Sequence, residues 1–458
     1  MRWSWTSIAV AGALAAATVA VGATAPAWTP PADTAATTGA SVERACPGTA
    51  GDTATTRLAA WAEGGVTTAT LADPAASSDQ SAPTWDAAAE VTRVLTPADA
   101  PAAVTASAWA ADGPDRGLSA VACPAALGDA WFVGVRSDAA HTTELFLTNL
   151  DSTPAEVSLT ILGADGRVAA AGTRGIQVNA RTTRTVALGP LLDSGEPATI
   201  RVETTAGRVA SVVRERAWDA ATPRGALWLG ATAAPAASVV VPGIPGGAGE
   251  RTVVVTNPGD RVATVSVDVL GDAGAIQVAG AETLELPAQT TRTLNLAPGL
   301  AGHPASVRLS GSREVLAAVR VTSGDDPATA SAAVVPAATG FGSRAAQRVT
   351  SPEGTTTLLV LANPSDGAAP VRILATGPDG GRLKDEEIVV PANGAVEVGD
   401  APGVDTLWQV TTDAPGVVAA VLASGPVGGT AGLVVVPVVG QAATASGPTP
   451  VADPHAGT

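Results

Sequence analysis

Residues 251–274 read RTVVVTNPGDRVATVSVDVLGDAG, and this stretch sets the architecture because the chain contains two related copies of it. The other copies are ELFLTNLDSTPAEVSLTILGADG at 144–166 and TLLVLANPSDGAAPVRILATGPDG at 357–380. In each copy an alternating apolar run ends at an Asn, and a Gly follows fourteen residues later. Alternation with period two, interrupted by turn residues at fixed offsets, predicts repeated pairs of β-strands.

Each copy continues through further strand-like runs, including one segment that we interpret as a hairpin, such as 198–213 in the first copy. Each then closes on a Val-rich run that ends in Pro: Val239 to Pro242, Val334 to Pro336 and Val434 to Pro437. A unit of roughly 105 residues with about seven short strands fits a β-sandwich, whereas a propeller blade is shorter. We therefore predict an all-β fold of tandem immunoglobulin- or fibronectin-like modules.

The spacing of the repeats also divides the chain into predicted segments. These are a signal peptide or membrane anchor (1–27), a Pro/Ala/Thr-rich linker (28–41), an N-terminal β module (42–124), repeat 1 (125–242), repeat 2 (243–337), repeat 3 (338–440) and a disordered tail (441–458). The run VACP at 121–124 resembles the closing run of the repeats, so the N-terminal module reads as a diverged copy.

The first residues indicate export. Arg2 is the only charge before a continuous apolar run from Ile8 to Ala25. Cleavage after Ala27 would release the chain, and an uncleaved segment would instead anchor it with the remainder outside the membrane. Both alternatives place most of the protein outside the cytoplasm.

Charge and cysteine content restrict the classes of partner and of site that the chain can have. The formal net charge of −16 argues against nucleic acid, which selects basic surfaces. Cys46 and Cys123 are the two cysteines, and both precede Pro. In an exported chain we expect them to form a disulfide, which would stabilise the N-terminal module by about 4–5 kcal/mol through the entropy of the unfolded chain. No metal-ligand spacing, cofactor motif or catalytic motif is recognised, so we expect no metal, no cofactor and no enzyme activity.

Repeat 1 departs from the other repeats in its last part. Val213 and the closing Pro of repeat 1 are 29 positions apart, whereas the corresponding residues are 17 positions apart in repeat 2 and 16 in repeat 3. This apparent insertion contains or adjoins residue types that are enriched at binding hot spots: Arg214, Arg216, Trp218, Arg224 and Trp228. Two alternatives remain open, because the Trp residues either form a partner surface or cap the core of the module.

Three functions are compatible with these features. The first is a non-enzymatic scaffold or interaction protein of the cell envelope, which binds an envelope protein or glycan. The second is an array of glycan-binding modules with Trp stacking platforms (Trp61, Trp85, Trp109, Trp218 and Trp228). The third, which we favour least, is a hydrolase with a site between modules; its histidines do not occupy corresponding places in the repeats (His141, His303 and His455).

Short motifs across the chain resemble a known family. The strand ends TNP and ANP, the turn LGADG, the strand PAQTTRTL and the run VVRERAW at 212–218 are together similar to an actinobacterial family of exported proteins known as a domain of unknown function, DUF5719. The resemblance extends from about Cys46 to Gly440. It implies a location at the cell envelope and brings no activity or catalytic residue with it.

Overall fold

A computed structural model describes residues 41–49, 54–73, 78–80, 82–192, 195–278, 280–402 and 405–440. The predicted export segment (1–27), nearly all of the linker and the tail (441–458) lie outside the described residues. Within that part of the chain the fold is all-β, as predicted, and consists of β-sandwich modules with antiparallel sheets. No helix in the described residues is both long enough and apolar enough to cross a membrane.

The N-terminal module is a sandwich of two sheets. Its strands are β1 Ser41–Cys46, β2 Thr55–Ala62, β3 Thr67–Thr70, β4 Ser78–Asp79, β5 Thr84–Asp86, β6 Thr92–Pro97, β7 Ala102–Ala110 and β8 Gly117–Ala122. The sheet orders are β1-β6-β3-β4 and β5-β2-β7-β8. Cys46 and Cys123 form the expected disulfide, which joins the end of β1 to the residue after β8.

Repeat 1 has the same sheet orders with an additional short strand. Its strands are β9 Asp129–Val135, β10 His141–Thr148, β11 Ala155–Gly163, β12 Gly166–Val168, β13 Ile176–Val178, β14 Thr183–Ala187, β15 Ala198–Ala206, β16 Ala210–Asp219 and β17 Thr222–Leu229. A 3-10 turn at Gly189–Leu191 precedes β15. The two sheets run β9-β15-β11-β12 and β14-β10-β16-β17, and β13 pairs with β11.

Repeats 2 and 3 repeat this arrangement. Repeat 2 contains β18 Ala236–Ile244, β19 Arg251–Asn257, β20 Ala263–Gly271, β21 Gly274–Gln277, β22 Leu284–Leu286, β23 Thr290–Asn295, the short helix α1 Ala297–Leu300, β24 Ala305–Thr322 and β25 Ala332–Pro336. Repeat 3 contains β26 Arg344–Val349, β27 Thr356–Asn363, β28 Ala369–Thr376, β29 Arg382–Val390, β30 Gly394–Pro402, β31 Thr406–Thr412, β32 Val418–Val427, β33 Thr430–Pro437 and β34 Val439–Gly440. In every module, the sheet that holds the last long strand (β8, β17, β25 or β33) is named here the closing sheet, and that strand the closing strand.

The repeated Asn has a structural role. Asn257, at the end of β19, is fully buried, and its amide nitrogen donates to the carbonyls of Arg261 (2.7 Å) and Leu286 (3.0 Å). Its side-chain oxygen accepts the backbone N–H of Gly259 at 3.0 Å. Asn149 and Asn363 make the corresponding bonds in the other repeats. The Asn therefore fixes a tight turn between two strands by satisfying buried backbone groups.

The hairpin predicted before each closing run is not present in the described residues, so this prediction was wrong. β15 and β16 follow each other in the chain but belong to opposite sheets, and they do not pair with one another. In repeat 2 the equivalent segment is the single strand β24, whose first half pairs with β20 and whose second half pairs with β19. This segment crosses from one sheet of the sandwich to the other, because both of its halves contribute buried side chains to the same core from opposite sides.

The boundary predicted after Pro242 is also wrong. The run Val239 to Pro242 lies inside β18, the first strand of repeat 2, where Val239 pairs with Leu309. The true closing strand of repeat 1 is β17, in which Leu229 pairs with Val213. Val319 pairs with Val335 in the same way in repeat 2, so the closing hairpins have equal lengths. Repeat 1 therefore has no insertion, because the earlier count ran on into the next module.

The modules form a closed ring rather than a string. The core of repeat 1 continues onto the outer face of the closing sheet of repeat 2, and repeat 2 does the same with repeat 3. The core of repeat 3 in turn includes Leu118 and Ala120 of the N-terminal module, whose own core includes Val212 and Trp228 of repeat 1. The closing strands contact one another in the cyclic order β8, β17, β25 and β33 around the centre. Each junction between neighbouring modules is called a joint below.

Candidate functional site

The five residues singled out in repeat 1 lie on the closing hairpin of that repeat, on strands β16 and β17. Side chains alternate along β16, so Val213 faces the core of repeat 1 while Val212 packs into the core of the N-terminal module. Arg214 and Arg216 share the outward face with Val212. The hairpin therefore forms the wall of the joint between the N-terminal module and repeat 1, here called the first joint.

Arg214 is held between two aromatic rings in the first joint. Its guanidinium carbon lies 5.1 Å from the ring centre of Phe146 and 5.4 Å from that of Trp228. The two rings are 5.6 Å apart and tilted by 50°. Glu144 accepts a hydrogen bond from Arg214 at 2.7 Å. Cation–π contacts and a charge-assisted hydrogen bond together fix the guanidinium in one orientation.

A cavity of about 450 Å³ opens beside this cluster, and it is called here the joint cavity. On the side of repeat 1 its wall carries aromatic, cationic and hydroxyl groups from β10, β14, β16, β17 and the turn before β14. These are Phe146, Thr148, Arg181, Thr182, Thr183, Thr185, Arg214 and Trp228. On the side of the N-terminal module the wall consists mainly of small or apolar residues next to the disulfide, with Glu90 as the acidic member.

Arg216 ties the two modules together below the cavity. Its Nε and Nη2 atoms donate to the two carboxylate oxygens of Asp115 in the N-terminal module, both at 2.9 Å. The Asp115 side chain is only 5% exposed, so the pair is shielded from solvent. A bidentate pair of this kind fixes the relative position of two surfaces. Arg216 therefore has a positioning role in the joint.

Trp218 and Arg224 lie elsewhere, at a second cavity of about 330 Å³. The indole nitrogen of Trp218 donates to the hydroxyl of Thr142 at 3.2 Å, and Arg224 pairs with Asp219 at 2.5 Å. His141 lines the same cavity and is hydrogen-bonded through Nδ1 to Asp138 at 2.8 Å. Burial would raise the pKa of Asp138, but the hydrogen bonds from His141 and from the backbone N–H of Ala140, together with the positive charges of His141 and Arg136, lower it overall. The structure therefore distributes four of the five predicted residues over two cavities, while Arg216 lines neither and pairs with Asp115.

The tryptophan residues in the described part of the chain are all at least partly buried. Trp228 is 8% exposed, and Trp85 and Trp109 pack against hydrophobic cores. Trp61 packs at the joint between the N-terminal module and repeat 3. A stacking platform for sugars needs an open ring face, which the 8% exposure of Trp228 does not leave. Trp228 neither caps the core of repeat 1 nor lies on a free surface. It packs into the core of the N-terminal module, between that module and repeat 1.

Sequence reasoning missed the residues that complete the first joint, namely Phe146, Glu144 and Asp115. Phe146 was detectable in principle, because the whole chain contains only 3 Phe residues and a rare aromatic at the outward position of an alternating strand is informative. Asp115 was not, because it lies 101 positions from its partner Arg216.

The joint cavity is lined by groups that can hold a ligand. No group of three or more His, Cys, Asp or Glu residues there could hold a metal ion. The joint cavity instead offers a fixed guanidinium, a row of Thr hydroxyls and two aromatic edges. His455 of the tail lies outside the described residues.

Together the geometry defines a class: a ring of immunoglobulin-like sandwiches with cavities at the joints. The chain belongs to a family of unknown function, DUF5719, whose sequence profile matches residues 75–401. This confirms the resemblance noted from the motifs. No curated protein matches the chain in sequence.

Proposed function

We propose that this chain is an exported, non-enzymatic interaction protein of the cell envelope, and that its partner binds at the joint cavity. The buried disulfide between Cys46 and Cys123 supports export, because such bonds persist in oxidising compartments. The ring supports a scaffold role, because every module is held by two neighbours and presents a fixed surface.

The observation that carries the proposal is the difference between the first joint and the others at equivalent positions. In repeat 2 the positions of Phe146 and Trp228 are occupied by Val254 and Val334, which are buried in the core of repeat 1. In repeat 3 they are Val360 and Val435, which are also buried. Only in repeat 1, among these described positions, do large aromatic side chains line a cavity instead of closing a core.

The lining favours a protein partner over a glycan. Trp228 is too deeply buried for a sugar ring to stack on its face, so the aromatic pair contributes apolar edges and holds Arg214. Arg214 and Arg181 add positive charge to a wall that has one acidic member, Glu90. An apolar side chain next to an acidic one on a partner would match these features.

The test uses a matched pair of substitutions. Thr185 lines the joint cavity and pairs with Phe146, and Thr293 pairs with Val254 at the equivalent position of repeat 2. Both residues are exposed. Thr185→Trp should fill the entrance and reduce binding of the chain, without residues 1–27, to isolated envelopes at least tenfold, while Thr293→Trp should leave it unchanged. Equal binding by both variants would contradict the proposal.

A further inference from the structure

The second cavity lies where three modules meet. Arg116 enters it from the turn between β7 and β8 of the N-terminal module. Trp218 and Arg224 come from repeat 1, and Ser331 comes from repeat 2. None of these residues lines the joint cavity, so the two sites are separate.

The charges around the second cavity do not balance. Its wall carries four arginines and three carboxylates: Arg116, Arg136, Arg224, Arg320, Glu215, Asp219 and Glu250. Each carboxylate faces a different arginine, since Arg320 pairs with Glu215 at 2.5 Å, Arg224 with Asp219 at 2.5 Å and Arg136 with Glu250 at 3.9 Å. Of the acids next to the wall, Asp138 is bonded to His141, Asp115 pairs with Arg216 and Asp326 accepts the backbone N–H of Ala328. Among the lining residues one positive charge is left over, in a chain whose net charge is −16.

The excess charge belongs to Arg116. Its Nη2 atom donates to the carbonyl of Ala328 at 2.7 Å, and among the described residues no carboxylate forms an ion pair with it. Burial is the larger cause that lowers its pKa, and the positive charge of Arg224 lowers it further. Two neighbouring guanidinium groups repel each other unless an anion lies between them.

The backbone is shaped to hold Arg116 in this place. Gly225 has φ 114°, and a Cβ atom there would lie 2.6 Å from the carbonyl oxygen of Arg116. Gly117 has φ 91°, and a Cβ atom there would lie 2.7 Å from the hydroxyl of Ser331. Glycine at both positions therefore lets the Arg116 turn fit tightly between repeat 1 and repeat 2.

We propose that the second cavity binds a single oxyanion group, a carboxylate or a phosphate, between the guanidinium groups of Arg116 and Arg224. Trp218 forms an apolar wall for the group that carries the anion. Arginine suits this role because its planar donors match the geometry of both anions. The ligand would neutralise the excess charge and reduce the repulsion between the two arginines.

Isothermal titration calorimetry of the full-length chain with inorganic phosphate and with acetate, at low ionic strength, tests the proposal. Phosphate or acetate should bind saturably with a Kd of about 1 mM or tighter. Arg116→Gln and Arg224→Gln should each weaken that binding at least tenfold, and Arg116→Lys should restore part of it. The anion that binds more tightly identifies the source of the oxyanion. Added salt should weaken the binding.

Arg174→Gln is the matched control, because Arg174 is exposed and outside both cavities, and it should bind like the unchanged chain. Arg224→Gln should fold normally, because the carboxylate of Asp219 that loses its partner is exposed to solvent. Absence of saturable binding with both probes, or equal binding by the Gln variants and the control, would overturn the proposal. Neither result depends on Thr185, so failure here is distinguishable from failure of the envelope-binding proposal.

Discussion

Equivalent positions of the closing sheet have different surroundings in two joints of the ring. In the joint between repeats 1 and 2, Val254 and Val334 complete an apolar core, and Arg320 forms a buried pair with Glu215. In the first joint the equivalent positions hold Phe146, Trp228 and Arg214, and Arg214 pairs with the partly exposed Glu144. At these positions the first arrangement is packed within a core, and the cavity of about 530 Å³ between repeats 1 and 2 lies elsewhere, at Trp131 and Asn257; the second arrangement borders a cavity of about 450 Å³.

The size of the neighbouring core explains this difference. The N-terminal module builds its core largely from Ala, Val and the disulfide, and this core is smaller than those of the repeats. Phe146 and Trp228 extend across the space that the small module leaves, and they fill it only in part. The comparison teaches that a repeated scaffold can acquire a cavity by changing a few joint positions while its strands stay the same.

The largest effect is expected from Arg320→Ala in the joint between repeats 1 and 2. Glu215 would remain buried without its partner, because the Arg320 side chain is 4% exposed and that of Glu215 is 2% exposed. Burial lowers the pKa of Arg320, but the charge and hydrogen bonds of Glu215 outweigh it, so this pKa lies above its usual value. We expect a loss of about 3–5 kcal/mol in the free energy of unfolding, measured in urea. A loss below about 1 kcal/mol would show that the pair is not buried in solution.

Trp228→Val should have a somewhat smaller effect. It converts the position in the first joint to the residue found in repeat 2 and enlarges the cavity. We expect a loss of about 2–4 kcal/mol, which is less than truncation of a buried Trp to Ala causes. The matched change Trp218→Val, at a half-buried residue with one side-chain hydrogen bond, should cost less in the same denaturation experiment. The reverse order would contradict the placement of Trp228 in the joint.

Arg214→Ala should destabilise the chain far less than Arg320→Ala does, although the two arginines occupy equivalent positions. Glu144 is about one-third exposed and can be solvated when its partner is removed. Loss of the two ring contacts and one hydrogen bond should cost about 1–2 kcal/mol. Equal losses for the two arginine variants would remove the distinction between the surroundings of these positions in the two joints.

Acid should produce the smallest of these effects. Because the pKa of Asp138 is lowered in the folded chain, its stabilising contribution is present above the ordinary value of 3.8 and is lost as pH falls through the lower folded value. Asp138→Asn should therefore reduce stability more at pH 6 than near pH 2. Urea unfolding at both pH values checks this. A difference that grows on acidification would contradict it.

The sequence is sufficient to predict the individual β-sandwich modules but not the way in which they assemble. Asn149, Asn257 and Asn363 mark the same buried turn in each repeat, and the paired cysteines identify the disulfide, because both signals are local or unique in the chain. Val239 to Pro242 was misleading because a first strand and a closing strand bury the same kind of residues.

Ring closure leaves no local signal. Gln347 donates a hydrogen bond to Thr105 across 242 positions, and neither residue differs in type from ordinary strand residues. The five candidate residues, chosen for their Arg and Trp content, lie on one hairpin, but the insertion predicted there does not exist. The division of these residues between two cavities depends on which module faces each side of the hairpin, and only the ring determines that.

Ring closure is the central claim, and chemical cross-linking across the joint between the N-terminal module and repeat 3 tests it most directly. Glu63 and Arg344 form an ion pair there at 2.7 Å, and both side chains are about half exposed. A full-length chain with Glu63→Cys and Arg344→Cys should be joined internally by a short bismaleimide, with faster migration on a denaturing gel. The control pair Glu63→Cys and Arg167→Cys, whose second site lies on β12 of repeat 1, should not react in this way. Modules arranged as an open string would separate residues 63 and 344 by two intervening repeats, so absence of the internal cross-link in the first pair would contradict the ring.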